Sequence, residues 1–221
     1  MNRLPLKMDL HVHTCYSHDA TTTPKEVVAY AKKQGLDGVA ITDHDTVEGA
    51  LKLVQQKSLL IVPGIEISTK GGHVLALNVA TEIPPKLSPL ETIKCIHEAG
   101  GLAVAAHPTA VSKGGLRRQM RQHIVSSFDA VEVINSTAFP FFLSTYMARK
   151  LAVRLNLPQT AGSDAHRASG IGLAYTNIEA DPDADEIIQA IKKGMTVPVG
   201  KPILWRTRLQ NIVSSLKRRK T

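Results

Sequence analysis

The chain has 221 residues, which suits one large domain or two small ones, and its 43% hydrophobic and 21% charged residues are typical of globular proteins. The apolar segments are too short for a transmembrane helix, no signal peptide is expected in MNRLPLKMDLHVH, and Cys15 and Cys95 form no CxxC motif, which excludes a disulfide framework. Of the net charge of +8, +7 lies in residues 201–221, which contain no acidic residue. We expect a cytoplasmic protein with a basic C-terminal tail.

Short apolar segments typical of strands alternate with longer segments typical of helices. Strands are predicted over 8–13, 37–42, 59–69, 73–79, 101–107, 129–135, 157–164 and 172–178. Helices are predicted over 23–35, 46–57, 88–101, about 115–127, about 142–155 and 181–194, from polar caps at the start and Lys or Gly near the end. This alternation predicts parallel strands joined by helical crossovers, in an open sheet or in a barrel.

Residues that can bind a metal ion or a proton lie in or directly after many of the predicted strands. In chain order they are His11, His13, Asp43, His44, Glu66, His107, Asp164 and His166. Functional groups from many different strand ends are typical of a β/α barrel, whereas the site of an open sheet gathers at one switch point. The sequence therefore favours a barrel.

Two of these positions indicate a metal site. His11 and His13 are two residues apart on a strand, so their side chains face the same side and can reach one ion. Glu66 lies between Ile65 and Ile67, and a carboxylate inside an apolar strand is costly unless a cation compensates it. Imidazoles mixed with carboxylates suit Zn, Mn or Fe better than Ca or Mg. Eight or nine candidate ligands are too many for one ion, so we expect two or three divalent metal ions that share a bridging carboxylate.

The motifs DLHVHT, ITDHD, GIEIS, AAHP, EVIN and GSDAH occur in this order between residues 8 and 178. Together they resemble the polymerase and histidinol phosphatase (PHP) superfamily. The resemblance implies an α/β fold, a distorted (β/α)7 TIM-like barrel with a two- or three-metal cluster at its C-terminal face that cleaves phosphoesters. We expect this catalytic barrel over 1–200 and a basic, amphipathic helical tail over 201–221.

The resemblance also implies which residues hold the metals. The expected ligands are His11, His13, Glu66 and Asp164 for one ion, Glu66 as a bridge with His73 and His107 for a second, and His44, His166 and a residue of the SHDA segment for a third. For that last ligand we prefer Asp19 to its neighbour His18.

Basic and polar residues near the motifs are candidates for binding the substrate or supporting the ligands. Arg117, Arg118 and Arg121 follow the His107 strand and Arg167 follows His166, so they could bind phosphate or form a solvated basic face. Glu132 and Asn135 could support ligands or contact substrate, and Asp43 could orient a histidine.

The leading hypothesis is a hydrolase that attacks a phosphomonoester, a nucleotide or an oligonucleotide phosphate with metal-bound hydroxide. One alternative is a nucleic-acid-binding subunit or nuclease component with a PHP-like barrel, which the basic tail favours slightly. Another is a metal-dependent hydrolase of C–N bonds. The tail itself could pack on its own domain or a second subunit, contact nucleic acid, or contact an anionic membrane surface.

Overall fold

The structure is a computed structural model, and it describes residues 4–110, 127–205, 207 and 208. Within these residues nine strands form one sheet: β1 (Leu6–Val12), β2 (Gly38–Ile41), β3 (Leu60–Thr69), β4 (Gly72–Leu77), β5 (Leu102–Ala105), β6 (Ala130–Asn135), β7 (Gln159–Gly162), β8 (Ala174–Ile178) and β9 (Thr196–Gly200). All eight predicted strand segments are strands. β9 was not predicted.

Five α-helices lie in the same described ranges: α1 (Pro24–Lys33), α2 (Glu48–Leu53), α3 (Pro89–Glu98), α4 (Phe141–Leu155) and α5 (Ala184–Lys192). Capping boxes, each with a proline in the first turn, begin α1 at Thr23 and α3 at Ser88. The side chain of Asp183 caps α5. These are the polar caps on which the helix predictions rested. The helix predicted over about 115–127 lies almost wholly outside the described residues.

The strand order is β7-β6-β5-β4-β3-β2-β1-β8-β9. The pairs β1–β2, β2–β3, β5–β6 and β6–β7 are parallel, whereas β3–β4, β4–β5, β1–β8 and β8–β9 are antiparallel. It follows that β4 and β8 run against the direction of the other seven strands. The carboxyl ends of β1, β2, β3, β5, β6 and β7 therefore meet on one face, as in a β/α barrel.

The sheet closes on itself between β1 and the end of β7. The backbone N–H of Asp164 donates to the carbonyl of His11 at 2.8 Å, and the N–H of His13 donates to the carbonyl of Ala165 at 3.1 Å. Gly162 makes this approach possible, because a Cβ there would overlap Cβ of His11 and lie 2.8 Å from its backbone nitrogen. The nearly closed barrel confirms the predicted fold class.

The barrel has nine strands in its described part, where the resemblance implies seven. The additional strands come from local reversals: β3 returns as β4 after Thr69, and β8 and β9 form an antiparallel pair. β9 has the sequence TVPVG and contains Pro198, which donates no hydrogen bond and is tolerated at the border of a sheet. Because its proline argues against a strand, a prediction based on apolar patterns missed it.

Along β1, residues of the apolar core precede the residues of the site. Met8 and Leu10 pack in an apolar cluster with Ile187 and Ile191 of α5. The register of β1 shifts between Asp9 and Val12, so strict alternation is interrupted there, and His11 and His13 follow at the carboxyl end of the strand. The described part of the chain contains no helix with the length and apolar character needed to cross a membrane. The division into a barrel over 1–200 and a tail over 201–221 stays a prediction.

Candidate metal centre

A cluster of nitrogen and oxygen ligands fills the carboxyl-terminal face of the barrel. His11 lies in β1 and His13 directly follows it, His44 follows β2, Glu66 lies in β3, His73 in β4, His107 follows β5, and Asp164 and His166 follow β7, with Asp19 from the loop after β1. All nine residues predicted as ligands are brought together here. His11, His13, Glu66 and Asp164 are fully buried.

Glu66 is the centre of this cluster. Its Oε2 lies 3.1 Å from Nε2 of His11, 3.1 Å from Nε2 of His13 and 3.5 Å from Nε2 of His44, and its Oε1 lies 2.8 Å from Nδ1 of His73 and 2.8 Å from Nε2 of His107. Five imidazoles therefore surround one fully buried carboxylate. A bridging ligand between ions needs this central position.

The ligand atoms fall into three overlapping groups, each within a span of 4.8 Å. The groups are His11, His13, Glu66 and Asp164; then His13, Asp19, His44 and His166; and then His44, Glu66 and His73. The first group is the set expected for one ion. The second contains the set expected for the third ion together with His13. His107 joins the cluster through Glu66.

The SHDA segment presents its aspartate to the cluster. Oδ2 of Asp19 lies 2.9 Å from Nε2 of His166 and 3.6 Å from Nε2 of His44. The neighbouring His18 is an exposed residue whose ring centroid lies 5.2 Å from that of His44. The geometry therefore favours Asp19 over His18.

Proton positions around His11 test whether the residues fit a metal. Nδ1 of His11 lies 2.9 Å from Oε1 of Glu132. Because an ionised carboxylate only accepts, Nδ1 carries a ring proton, and Nε2 is the nitrogen left to hold a second proton or to bind a metal ion. This Nε2 lies 3.1 Å from Oε2 of Glu66 and 3.1 Å from Nε2 of His13. Lone pairs this close repel unless a proton or a metal ion lies among them.

His166 shows the same arrangement on the other side of the cluster. Its Nδ1 lies 2.9 Å from the backbone carbonyl oxygen of Asp164, which can only accept a hydrogen bond. Nε2 is the ring nitrogen that faces Oδ2 of Asp19, at 2.9 Å, where it can donate a hydrogen bond or bind a metal ion. His11 and His166 are thus each held through Nδ1 with Nε2 facing carboxylates, which fits ligation of divalent cations.

Burial and neighbouring charges shift the pKa values of the two β1 histidines. Burial lowers the pKa of His11, but the carboxylates of Glu66, Glu132 and Asp164 outweigh it and raise that pKa well above its usual range. Burial also lowers the pKa of His13, and hydrogen bonds with Asp164 and Glu66 raise it to about 9. The surroundings of both rings therefore attract positive charge.

The remaining ligands titrate differently. Burial lowers the pKa of His44 to about 3, despite the opposing charge of Glu66. Burial raises the pKa of the Glu66 carboxyl, but His44, His11 and other histidines hold it well below its usual range. Burial also raises the pKa of Asp19. The hydrogen bond with His166 and nearby histidines outweigh burial, so the pKa of Asp19 lies below its usual range. Ionised carboxylates thus meet imidazoles that are not all protonated.

Glu132 supports the cluster from β6. Besides the contact with His11, its Oε2 accepts the backbone N–H of His107 at 2.7 Å and the side-chain amide of Asn135 at 3.0 Å. The same amide lies 3.2 Å from Oδ2 of Asp164. Glu132 and Asn135 therefore contact ligands, one of the two roles that the sequence left open for them.

Three further polar contacts were not predicted from the sequence. The hydroxyl of Thr137 lies 2.6 Å from Oδ2 of Asp164, and the hydroxyl of Ser17 donates to Oδ1 of Asp19 at 2.9 Å. Asp43, expected to orient a histidine, instead accepts the hydroxyl of Thr14 at 2.7 Å and its backbone N–H. Thr and Ser are common in loops, so nothing in the sequence distinguishes these particular ones.

Asp9 connects β1 to the chain after β7. One carboxylate oxygen accepts the backbone N–H of Ser163 at 2.8 Å, and the other accepts the N–H of Gly172 at 2.9 Å. Burial raises the pKa of Asp9 to about 6, although these hydrogen bonds lower it. Asp9 thus lies beside the cluster and contributes to closing the barrel.

Two candidate ligands have a left-handed backbone conformation. The φ angle is +28° at His107 and +54° at Asp164. Non-glycine residues rarely adopt such angles, and they occur where the surrounding structure forces them. Hydrogen bonds from the backbone of His107 to Glu132 and from that of Asp164 to His11 hold both residues in place.

The predicted phosphate-binding arginines lie in two regions. Arg117, Arg118 and Arg121 fall outside the described residues. Arg167 is half-buried directly after His166, and its carbonyl accepts the N–H of Gly170 in a short 3₁₀ turn. A phosphate contact by these arginines stays a prediction.

Comparison with known proteins agrees with this geometry. The PHP domain model matches residues 9–99, and the PHP-associated model matches residues 144–196. An uncharacterized protein of Methanocaldococcus jannaschii, MJ1587, is 41% identical over 116 residues, which are 47% of this chain and 68% of that protein. A 5'-3' exoribonuclease of Haemophilus influenzae is 33% identical over 99 residues, which are 42% of this chain and only 36% of that protein.

Solved structures share the fold at low identity. A two-domain Bacteroides vulgatus protein containing a predicted PHP-like metal-dependent phosphoesterase matches 94% of this chain and 69% of its own, with a TM-score of 0.71 and 18% identity. The lesion-specific endonuclease Q of Pyrococcus furiosus matches 88% of this chain and 58% of its own, with a TM-score of 0.67 and 19% identity. The family models, the similarity to MJ1587 and the barrel lead to one conclusion: the chain belongs to the PHP family.

Proposed function

We propose that the chain is a metal-dependent phosphoesterase. The observation that carries the proposal is the buried Glu66 carboxylate with five imidazoles around it, at the face of the barrel where β/α enzymes have their active sites. A site with this many ionisable groups in the interior is costly for folding, so a role in binding cations explains it better than a structural role does.

Two or three divalent ions, of Zn, Mn or Fe, are proposed as cofactors. His11, His13, Glu66 and Asp164 would hold one, Glu66, His73 and His107 a second, and Asp19, His44 and His166 a third. When bound, such ions lower the pKa of water and withdraw negative charge from a phosphoryl group.

The chain's own residues would position this chemistry. Glu132 holds the proton of His11 on Nδ1, which directs the Nε2 lone pair into the cluster. The carbonyl of Asp164 does the same for His166. Thr137 and Asn135 hold the Asp164 carboxylate from the side of β6. The site is thus preorganised, and its ligands need little rearrangement during a reaction.

The proposed substrates are nucleotides or the phosphates of an oligonucleotide. Relatives named as a 5'-3' exoribonuclease and as a phosphoribosyl 1,2-cyclic phosphate 1,2-diphosphodiesterase support this class, although the matches cover about a third of each relative. The positive charge of residues 201–221 is complementary to a polyanion. Arg117, Arg118 and Arg167 are proposed to bind further phosphate.

Hydrolysis assays on metal-loaded protein test the proposal. The purified chain would be supplied with Mn²⁺ or Zn²⁺ and assayed on p-nitrophenyl phosphate, nucleotides and short oligonucleotides. We expect turnover that Glu66→Gln abolishes, and that Glu98→Gln, a change of an exposed carboxylate on α3, leaves intact. Metal-bound protein that hydrolyses no phosphoester would refute the proposal.

Two other activities remain outcomes of the same assays. Binding of RNA or DNA without hydrolysis would identify a nucleic-acid-binding subunit, which the basic tail supports. Hydrolysis of an amide panel without phosphoester turnover would identify a C–N hydrolase; one structural neighbour is an amidohydrolase of Chromobacterium violaceum, at 16% identity.

A cytoplasmic location is also proposed. The free thiols of Cys15, which is exposed, and Cys95 support a reducing compartment. Cell fractionation tests this.

A further inference from the structure

Trp205, the chain's one tryptophan, lies on the surface beside Phe139. Its side chain is 62% exposed, and its ring centroid lies 6.2 Å from that of Phe139, which is 44% exposed. Aromatic residues make up only 4% of the chain, so two adjacent exposed rings are a notable use of them. Exposed aromatic rings offer a flat face on which a nucleic-acid base can stack.

The segment that carries Trp205 is anchored on both sides of it. The backbone N–H of Ile203 donates to the carbonyl of Ser136 at 3.0 Å, and Ile203 is buried. The guanidinium of Arg208 donates to the carbonyls of Thr137 and Ala138 at 3.0 and 3.3 Å. An exposed indole is therefore held in a defined place, and little conformational entropy is lost when a ligand stacks on it.

The loop that carries Phe139 also contacts the candidate metal cluster. Arg208 stacks on the ring of Phe139, with its guanidinium carbon 5.1 Å from the ring centroid. Two residues earlier, the hydroxyl of Thr137 lies 2.6 Å from Oδ2 of Asp164. Since consecutive Cα atoms are about 3.8 Å apart, the Cα atoms of Thr137 and Phe139 are within about 8 Å. One loop thus connects the aromatic pair to a proposed metal ligand.

From this juxtaposition we propose that Trp205, supported by Phe139, is a stacking platform for a base of a single-stranded nucleic acid whose phosphate enters the metal centre. The proposal rests on the proposed function, because it assigns the substrate class of that same site. Charge favours this occupant: residues 201–221 contain seven basic and no acidic residues, and a polyanion with stackable bases is complementary to an aromatic surface in such a segment.

Because Trp205 is the only tryptophan, its fluorescence reports directly on the platform. We expect a single-stranded octathymidylate to quench the fluorescence of the metal-loaded full chain saturably, and an octamer of abasic nucleotides with the same phosphates to leave it nearly unchanged. Equal quenching by both oligomers, or quenching by neither, would overturn the proposal.

Variants separate stacking from charge. We expect Trp205→Ala to weaken binding of the base-bearing octamer about 5- to 100-fold, measured by anisotropy of a labelled strand, and to leave binding of the abasic octamer unchanged. Trp205→Phe should recover part of the loss, and Leu204→Ala, a neighbouring exposed residue without a ring, should match the unaltered chain. An unchanged affinity in Trp205→Ala would contradict the platform.

Other occupants of this surface give different results. If a second copy of the chain covers the pair, sedimentation will show a dimer that Trp205→Ala dissociates. If another part of the chain covers it, acrylamide will fail to quench Trp205 in the free protein. Either result overturns the proposal. Neither fluorescence nor anisotropy requires turnover, so a platform without phosphoester hydrolysis would refute the proposed function alone.

Discussion

The carboxylate of Glu132 lies 2.9 Å from Nδ1 of His11, across 121 residues of sequence. A second contact joins the same carboxylate to the backbone N–H of His107 at 2.7 Å. Glu132 therefore orients one proposed ligand through its ring and another through its backbone. Metal-binding histidines are typically held in this way by a carboxylate behind them.

Replacing Glu132 by glutamine should weaken metal binding about 10- to 100-fold. The amide nitrogen of the new side chain would face donors that the carboxylate now accepts from, at His11, His107 or Asn135. Titration against a competing chelator measures the affinity, with Glu98→Gln as the control on an exposed helix. An unchanged affinity would show that Glu132 does not position these ligands.

Changing Asp19 and His18 separately should distinguish the two candidates in the SHDA segment. We expect Asp19→Asn to bind fewer metal ions per chain, because its carboxylate oxygen lies 2.9 Å from Nε2 of His166. His18→Asn should retain the full number, since His18 is exposed. Elemental analysis after dialysis counts the ions, and a loss in His18→Asn alone would reverse the assignment.

Replacing Asp9 by asparagine should lower the free energy of unfolding by about 1–3 kcal/mol. Both carboxylate oxygens accept backbone N–H groups, at Ser163 and Gly172, and an amide can accept with only one of its ends. The second backbone N–H would then face the amide NH₂ group of the asparagine, which cannot accept its hydrogen bond. Denaturant unfolding measures the change, and the exposed Glu98→Gln variant should stay within about 0.5 kcal/mol of the unaltered chain.

Replacing Gly162 by alanine should reduce both stability and metal affinity. The added Cβ would overlap Cβ of His11 and lie 3.1 Å from Oε1 of Glu132, so β1 and β7 must separate where the barrel closes. Such overpacking costs about 1–3 kcal/mol and displaces a proposed ligand. Gly170→Ala is the control, because its Cβ would meet only Ala165, at 3.2 Å. Thermal melting and metal titration measure both effects. Equal melting temperatures and metal affinities in Gly162→Ala and Gly170→Ala would show that the close approach is unimportant.

Eight of the nine described strands and several of the candidate ligands could be predicted because each has a local signature. A histidine pair at alternate positions, or a glutamate between two isoleucines, is unusual within one strand, whatever the strand packs against. The capped helices are also local, since a capping box is complete within four residues, as at Thr23 and Glu26. These features place the ligands at strand ends before any packing is known.

Contacts between distant segments could not be predicted from the sequence, because they depend on how the chain folds. Glu132 reaches His11 and Asp9 reaches Ser163 because the barrel closes between β1 and β7, and Thr137 reaches Asp164 because β6 and β7 are paired neighbours. For Asp43 the prediction was wrong. Its position beside His44 indicated a histidine partner, but its carboxylate accepts the hydroxyl of Thr14. Residue types and spacing identify groups that need a partner. Strand pairing, register and closure decide which partner each group meets.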